Sequence, residues 1–244
     1  MKVIRVRLHQ ETANYRVPAS HGFRESYPLP PCSTVIGMVH YLCDFHEYHP
    51  MKVSIQGSYV STTSDFFTRY EFKNGMKFDP GRHQLNAEGF GISRGIGHVQ
   101  LLYDVNLILH IKPDNEDELE TIYHALKYPR EFPNLGRRED LANFEEVKIV
   151  DVEEKDANLI VNHGAYVPVE MSENIGLENE GIGYKGTHYY LNKDYKLVTV
   201  KKGQTQRRWN KVEVIYASDF IVYKSYVDED NNVVILIWKS VDLQ

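Results

Sequence analysis

Residues 101–111 read Leu-Leu-Tyr-Asp-Val-Asn-Leu-Ile-Leu-His-Ile, with an apolar side chain at every odd position and Asp104, Asn106 and His110 between them. Side chains of an extended chain point alternately to its two faces, so this period of two marks a strand buried on one side.

The same reasoning extends in both directions along the chain. Downstream, Asn115 with Glu118 three residues later has the form of a capping box, and Leu119, Ile122, Tyr123 and Leu126 follow at helical spacing until Pro129. A further strand is expected around residues 147–152. Upstream, Val53, Ile55 and Tyr59 indicate a strand. Before it, Ser33 or Thr34 is placed to cap a helix whose Val35, Met38, Val39, Leu42 and His46 share one face, bounded by Pro50. At the N-terminus, Ile4, Val6 and Leu8 alternate with Arg5, Arg7 and His9.

The resulting order β-α-β-β-α-β is that of the split βαβ, or ferredoxin-like, arrangement, an α+β class with both helices on one face of the sheet. Arg5, Arg7 and His9 then belong to the opposite face. Beyond Asp156, short β-like runs separated by Gly, Asn and Asp turns indicate a smaller β-rich unit, so the expected division is 1–155 and 156–244. Residues 10–33 and 63–97 form connections far longer than the usual ~4 to 6 residues, which marks them as functional segments.

Composition narrows the function. The chain has 244 residues, 42% hydrophobic and 25% charged, which is the globular average and excludes disordered, collagenous and coiled-coil classes. No apolar run reaches the ~18 to 20 residues of a membrane span, and the N-terminus has no export signal, so a cytoplasmic location is expected. Cys32 and Cys43 are the two cysteines, too few for a disulfide framework. A net charge of −6 means that any nucleic-acid site must be local.

Three local patterns have that character. Residues 66–97 interleave Phe66, Phe67, Tyr70 and Phe72 with Arg69, Lys73, Arg82 and Arg94, and end in Gly95 and Gly97. Aromatic rings stack on bases while cations neutralise phosphates, which suits a projecting arm on single-stranded nucleic acid; the plainer alternative is a hairpin packing its aromatics on the sheet. Residues 133–142, Pro-Asn-Leu-Gly-Arg-Arg-Glu-Asp-Leu-Ala, join a glycine turn to the forks of Arg137 and Arg138, able to hold phosphate oxygens unless Glu139 and Asp140 neutralise them. Lys201, Lys202, Arg207, Arg208 and Lys211 surround Trp209 without an intervening acid, a run that reads more simply as an exposed loop.

Other patterns are weaker. Residues 181–186 match GxGxxG, but β-like sequence follows where a nucleotide-binding helix must start. Cys43, His46 and His49 have ligand-like spacing without a fourth donor, so no metal or cofactor is expected. His40 and Tyr41, with His9, offer an acid and a base for metal-free RNA cleavage, although histidines in such positions more often pack or hydrogen-bond. The chain lacks a GxSxG elbow, an HExxH pair and a Walker loop.

Residues 27–38, Tyr-Pro-Leu-Pro-Pro-Cys-Ser-Thr-Val-Ile-Gly-Met, together with residues 135–141, Leu-Gly-Arg-Arg-Glu-Asp-Leu, resemble the Cas five family of CRISPR-associated RAMP proteins, closest to the subtype I-B branch. The resemblance implies a ferredoxin-like (RRM-like) domain with a thumb inserted between its second and third strands. It also implies a role in capping the 5′ handle of CRISPR RNA in a type I interference complex (Cascade), beside the Cas seven backbone subunit and the Cas eight large subunit. In the I-C branch the family member cleaves precursor CRISPR RNA; in I-B a separate Cas six ribonuclease does so. The expected RNA-binding residues are Arg5, Arg7, Arg24, Ser33, Arg94, Gly136, Arg137 and Arg138, without catalysis. The competing expectation is a metal-independent endoribonuclease using His40 or Tyr41, and a third is an assembly subunit that does not touch RNA.

Overall fold

Each alternating stretch becomes a strand longer than its pattern in the computed structural model, which describes residues 1–20, 22–177, 181–182, 184–201 and 203–237. In chain order the strands are β1 (Lys2–Ala13), β2 (Phe23–Arg24), β3 (Met51–Glu71), β4 (Leu85–Ala87), β5 (Phe90–Pro113), β6 (Asn143–Val161), β7 (Gly164–Pro168), β8 (Ile175–Leu177), β9 (Gly181–Ile182), β10 (Thr187–Lys201), β11 (Gln204–Ala217), β12 (Phe220–Asp228) and β13 (Val233–Val234). The α-helices are α1 (Cys32–Leu42) and α2 (Leu119–Lys127). The architecture is therefore a largely antiparallel sheet carrying few helices.

Its centre is ordered β3-β5-β1-β6, with every pairing antiparallel. Register aligns the apolar rows: Ile4 lies between Ile111 and Ile149, and Val6 between Leu109 and Val147. That face packs against Val35, Val39 and Leu42 of α1 and Ile122 and Leu126 of α2, and the two helices touch each other.

Helix α1 begins one residue before the expected cap. Pro31 occupies the N-cap, and its carbonyl accepts from Thr34 N at 2.9 Å and Val35 N at 3.3 Å, so Ser33 and Thr34 lie within the first turn. The helix stops at Leu42 because Asp44 turns the chain with φ +58°, which leaves His46 off the helix. Ahead of α2, the Asn115 side chain accepts from Asp117 N at 3.2 Å, capping a 3-10 turn rather than α2 itself.

The C-terminal strands join both edges of this centre. β7 and the β10–β11 hairpin extend it beyond β3, and β12, β8 and β9 extend it beyond β6. β6 pairs with β1 up to Asp151 and with β12 from Val152 onward, running unbroken past residue 155.

The face away from the helices is covered in part as well. After β12 the chain returns across it: Gln56 Nε2 donates to Val233 O at 2.6 Å, Ile235 N to Ser54 Oγ at 3.0 Å, and Ile237 N to Val53 O at 2.8 Å. Arg5, expected on an open RNA-facing surface, is 1% exposed. Its guanidinium meets Glu146 at 2.8 Å, Asp228 at 2.6 Å and Asp230 at 2.5 Å. Asp228 also accepts from His110 Nε2 at 3.2 Å. Arg7 is only partly covered, donating to Asn232 at 3.0 Å. Arg5 is thus an internal ion-pair partner, because a segment more than two hundred residues later covers it.

Burial alone would raise the Asp228 carboxyl, but hydrogen bonds from His110, Arg5 and Asn232 hold it far below the usual carboxylate range. Burial lowers the imidazoles of His40, His110 and His163.

Removing Arg5 leaves Asp228 buried without its partner, so Arg5→Ala should lose about 3–5 kcal/mol in urea unfolding, and Arg5→Met with Asp228→Leu should recover much of it. Because burial lowers these three imidazoles from their ordinary value, the unfolded chain takes up protons at a higher pH than the folded one. Stability should therefore fall between pH 7.5 and 5.5, whereas the Asp228 contribution is lost only below about pH 4.

Candidate nucleic-acid interface

Beyond the end of β1, β3 and β5 remain paired from Thr63 opposite Leu101 to Glu71 opposite Ser93, forming an arm flanked at its base by β2 and closed by β4. This arm includes the segment expected to be a thumb. Two of its aromatics stand out from the sheet, Phe66 at 67% and Phe72 at 73% exposed.

At the base of the arm, Phe67 lies opposite Gly97, whose missing side chain makes room for the ring; a Cβ there would come within 2.4 Å of it. β2 pairs in parallel with β5, placing Arg24 opposite Val99 and its guanidinium carbon 3.7 Å from the Phe67 centroid. Arg24 sits in a cationic neighbourhood. Burial lowers its pKa first, then Arg16, with Arg137 and Arg69 acting in the same direction against Glu139. Arg16 arrives because residues 15–17 run antiparallel to residues 25–27, bridged at Arg16 and Ser26. Arg69 is exposed and pairs with Glu71 at 2.9 Å.

The Gly-Arg-Arg loop is held from below. The buried Asp140 carboxylate accepts from Asn14 N at 3.0 Å, from Arg137 N at 2.7 Å and from the Arg137 guanidinium at 2.6 Å. Gly136 has φ +113°, and a Cβ there would meet Asp140 Oδ2 at 2.8 Å and Asn14 O at 3.0 Å, so glycine is required. Arg137 also reaches Glu139 at 3.1 Å, and despite its burial these acids raise its pKa. The neutralised-pair alternative is therefore realised in Arg137. Arg138 is exposed and has no ion pair or hydrogen bond among the described residues.

The structure thus gathers Arg24, Gly136 and Arg137 with Arg16, Phe67 and Arg69. Arg16 escaped the sequence reading; its one signal is that it shares a single long connection with Arg24. Arg94 lies further along the arm, beside Thr68, Gln84 and Ile96, around a hollow of about 400 Å3. Ser33 lines a different groove, between α1 and the β10–β11 hairpin.

The candidate acid–base pair is engaged elsewhere. His40 Nδ1 donates to Ile36 O at 2.9 Å and its Nε2 accepts from His49 N at 2.9 Å, which commits both ring nitrogens to the backbone. Tyr41 donates to Glu131 at 2.5 Å, a bond that raises its pKa, and His9 meets Asp104 at 2.9 Å. Among the described residues, no three His, Cys, Asp or Glu side chains are placed to hold a metal ion, and no helix is long and apolar enough to cross a membrane. Gly183, within the GxGxxG match, and Lys202 lie outside the described residues.

An antiparallel sheet carrying a cation-rimmed arm defines the class of protein. The family described as "CRISPR-associated protein (Cas_Cas5)" matches residues 3–212, and the chain belongs to that family. No curated protein matches the sequence. Among solved structures, a chain described as "CRISPR RNA-guided surveillance complex" is similar at 18% identity and TM-score 0.56, over 90% of this chain and 91% of that one. A CRISPR protein from Archaeoglobus fulgidus is similar at 11% identity and TM-score 0.46, over 98% of this chain and 100% of that one.

Gly136→Ala forces a side chain against Asp140 and into an unfavourable φ. Chemical denaturation should show a loss of about 1–3 kcal/mol, as strained backbone positions typically cost.

Proposed function

We propose that this chain is a non-catalytic RNA-binding subunit of a type I CRISPR interference complex (Cascade), capping the 5′ handle of CRISPR RNA at the base of its thumb. The observation that carries the reading is Arg24 stacked on Phe67, with Arg16, Arg137 and Arg69 around it and Glu139 opposing them. Like charges gathered on a chain of net charge −6 disfavour one another until a polyanion neutralises them. Arg24 and Arg138 supply the phosphate contacts, and the exposed rings of Phe66 and Phe72 supply stacking surfaces. Arg137, locked to Asp140, shapes the loop and donates less.

The central order β3-β5-β1-β6, with both helices on one face, supports a ferredoxin-like core for this RAMP subunit. Subtype I-B rests on the motifs at 27–38 and 135–141. The Cas seven backbone and Cas eight large subunits are the proposed neighbours, in the cytoplasm. The resemblance to a chain of a CRISPR RNA-guided surveillance complex agrees with this assignment.

Arg24→Ala and Arg138→Ala should each weaken handle-RNA binding and reduce the slope of log affinity against log salt by about 0.7, as expected per phosphate contact on a single strand. Fluorescence anisotropy across a salt series measures this, and an unchanged slope removes those residues from the site. Labelled repeat RNA incubated with the protein in EDTA should stay intact; specific cleavage that disappears in His40→Ala would instead establish the endoribonuclease.

A further inference from the structure

Ser33, Ile36, Gly37 and His40 follow the i, i+3, i+4, i+7 spacing of one helical stripe, and this stripe of α1 lines one side of a groove of about 590 Å3. The β10–β11 hairpin forms the other side, where Tyr195 pairs directly with Trp209 and Leu197 with Arg207. The Tyr195 and Trp209 rings meet edge to face at 5.2 Å, and the Arg207 guanidinium lies 4.5 Å from the Tyr195 centroid.

We propose that this groove is a second RNA site, taking one unstacked nucleotide with its base against Trp209 and its phosphate on Arg207. The inference rests on the RNA-binding reading above and extends it to a second surface.

Three observations select a nucleotide. The first is charge: on the hairpin side residues 193–211 contain seven lysines and arginines and one acid, Asp194, within a chain of net charge −6, while Glu47, from the segment after α1, is the other acid lining the groove. Asp194 is itself engaged, accepting from Asn210 and from Tyr48 at 3.3 Å. The second is shape and chemistry. The volume falls in the range of small-ligand sites, and flat aromatic surface beside an exposed guanidinium provides stacking together with phosphate neutralisation. The third is Gly37. A glycine inside a helix costs about 1 kcal/mol relative to alanine, yet nothing lies within 4 Å of a Cβ at this position. No packing contact requires the glycine; its effect is to keep the groove open where a side chain would fill it.

The test uses the full chain and a single-stranded 12-nucleotide oligo(rA). Trp209 and Trp238 are the two tryptophans, so a Trp238→Phe background makes Trp209 the only indole reporter. Saturating RNA should quench its fluorescence. Gly37→Leu fills the groove and should abolish the quenching and weaken binding about tenfold, within the value of one base–aromatic stack, while the melting temperature holds or rises. Arg207→Glu should weaken binding similarly, and fluorescence anisotropy on the chain with both tryptophans checks the affinities independently. The thumb pair Arg24→Ala with Arg138→Ala should lose affinity yet retain quenching at saturation.

Full affinity in Gly37→Leu and Arg207→Glu, without Trp209 quenching in the parent, overturns the groove site and leaves the thumb reading standing. Loss in the groove variants with an unaffected thumb pair supports the groove and overturns the thumb. If the groove variants release a protein subunit from the assembled complex at unchanged RNA affinity, the groove is a protein interface and the inference fails.

Discussion

The Arg5–Asp228 ion pair, 223 residues apart in the chain, holds the C-terminal return against the sheet. Around it Glu146, Asp230, His110 and Asn232 supply the remaining hydrogen bonds that a buried charge needs. With that return in place, Ser54 and Gln56, which alternate outward from the helix face of β3, find backbone partners instead of water. The helix face of the centre and the region around Arg5 on the other face are then covered, and residues 63–101 are left to project as an arm.

The arm and the Gly-Arg-Arg loop use charge differently. Arg137 is neutralised by Asp140, and its donors go into fixing a turn that Gly136 alone can occupy. Arg24 is held by stacking and backbone pairing, neither of which cancels its charge. One arginine builds the site and the other presents a cation to it. The conflict between Arg24 and its cationic neighbours is what a folded chain tolerates where an anionic partner relieves it.

Period-two alternation at 2–9 and 101–111 and helical spacing at 119–126 identified strands and a helix correctly because those patterns report which face is buried, whatever buries it. Local rules failed where a neighbouring residue took over the role. Pro31 took the cap expected of Ser33 or Thr34, and Asp44 ended α1 before His46. The arm was legible as an aromatic and cationic insertion, but not as the direct extension of β3 and β5, since register between strands depends on residues thirty positions apart.

Composition and periodicity were sufficient for an α+β chain with a long aromatic and cationic connection and a Gly-Arg-Arg loop, because each is a property of a short window of residues. Which cations remain available to a ligand lay beyond any window. Arg5, Arg24, Arg137 and Arg138 look alike as letters, and their different fates follow from Asp228, Phe67 and Asp140, or from the absence of a partner among the described residues for Arg138. Charge interactions act through space and depend on burial, so only the folded chain distinguishes an arginine that holds the protein together from one left free to hold something else.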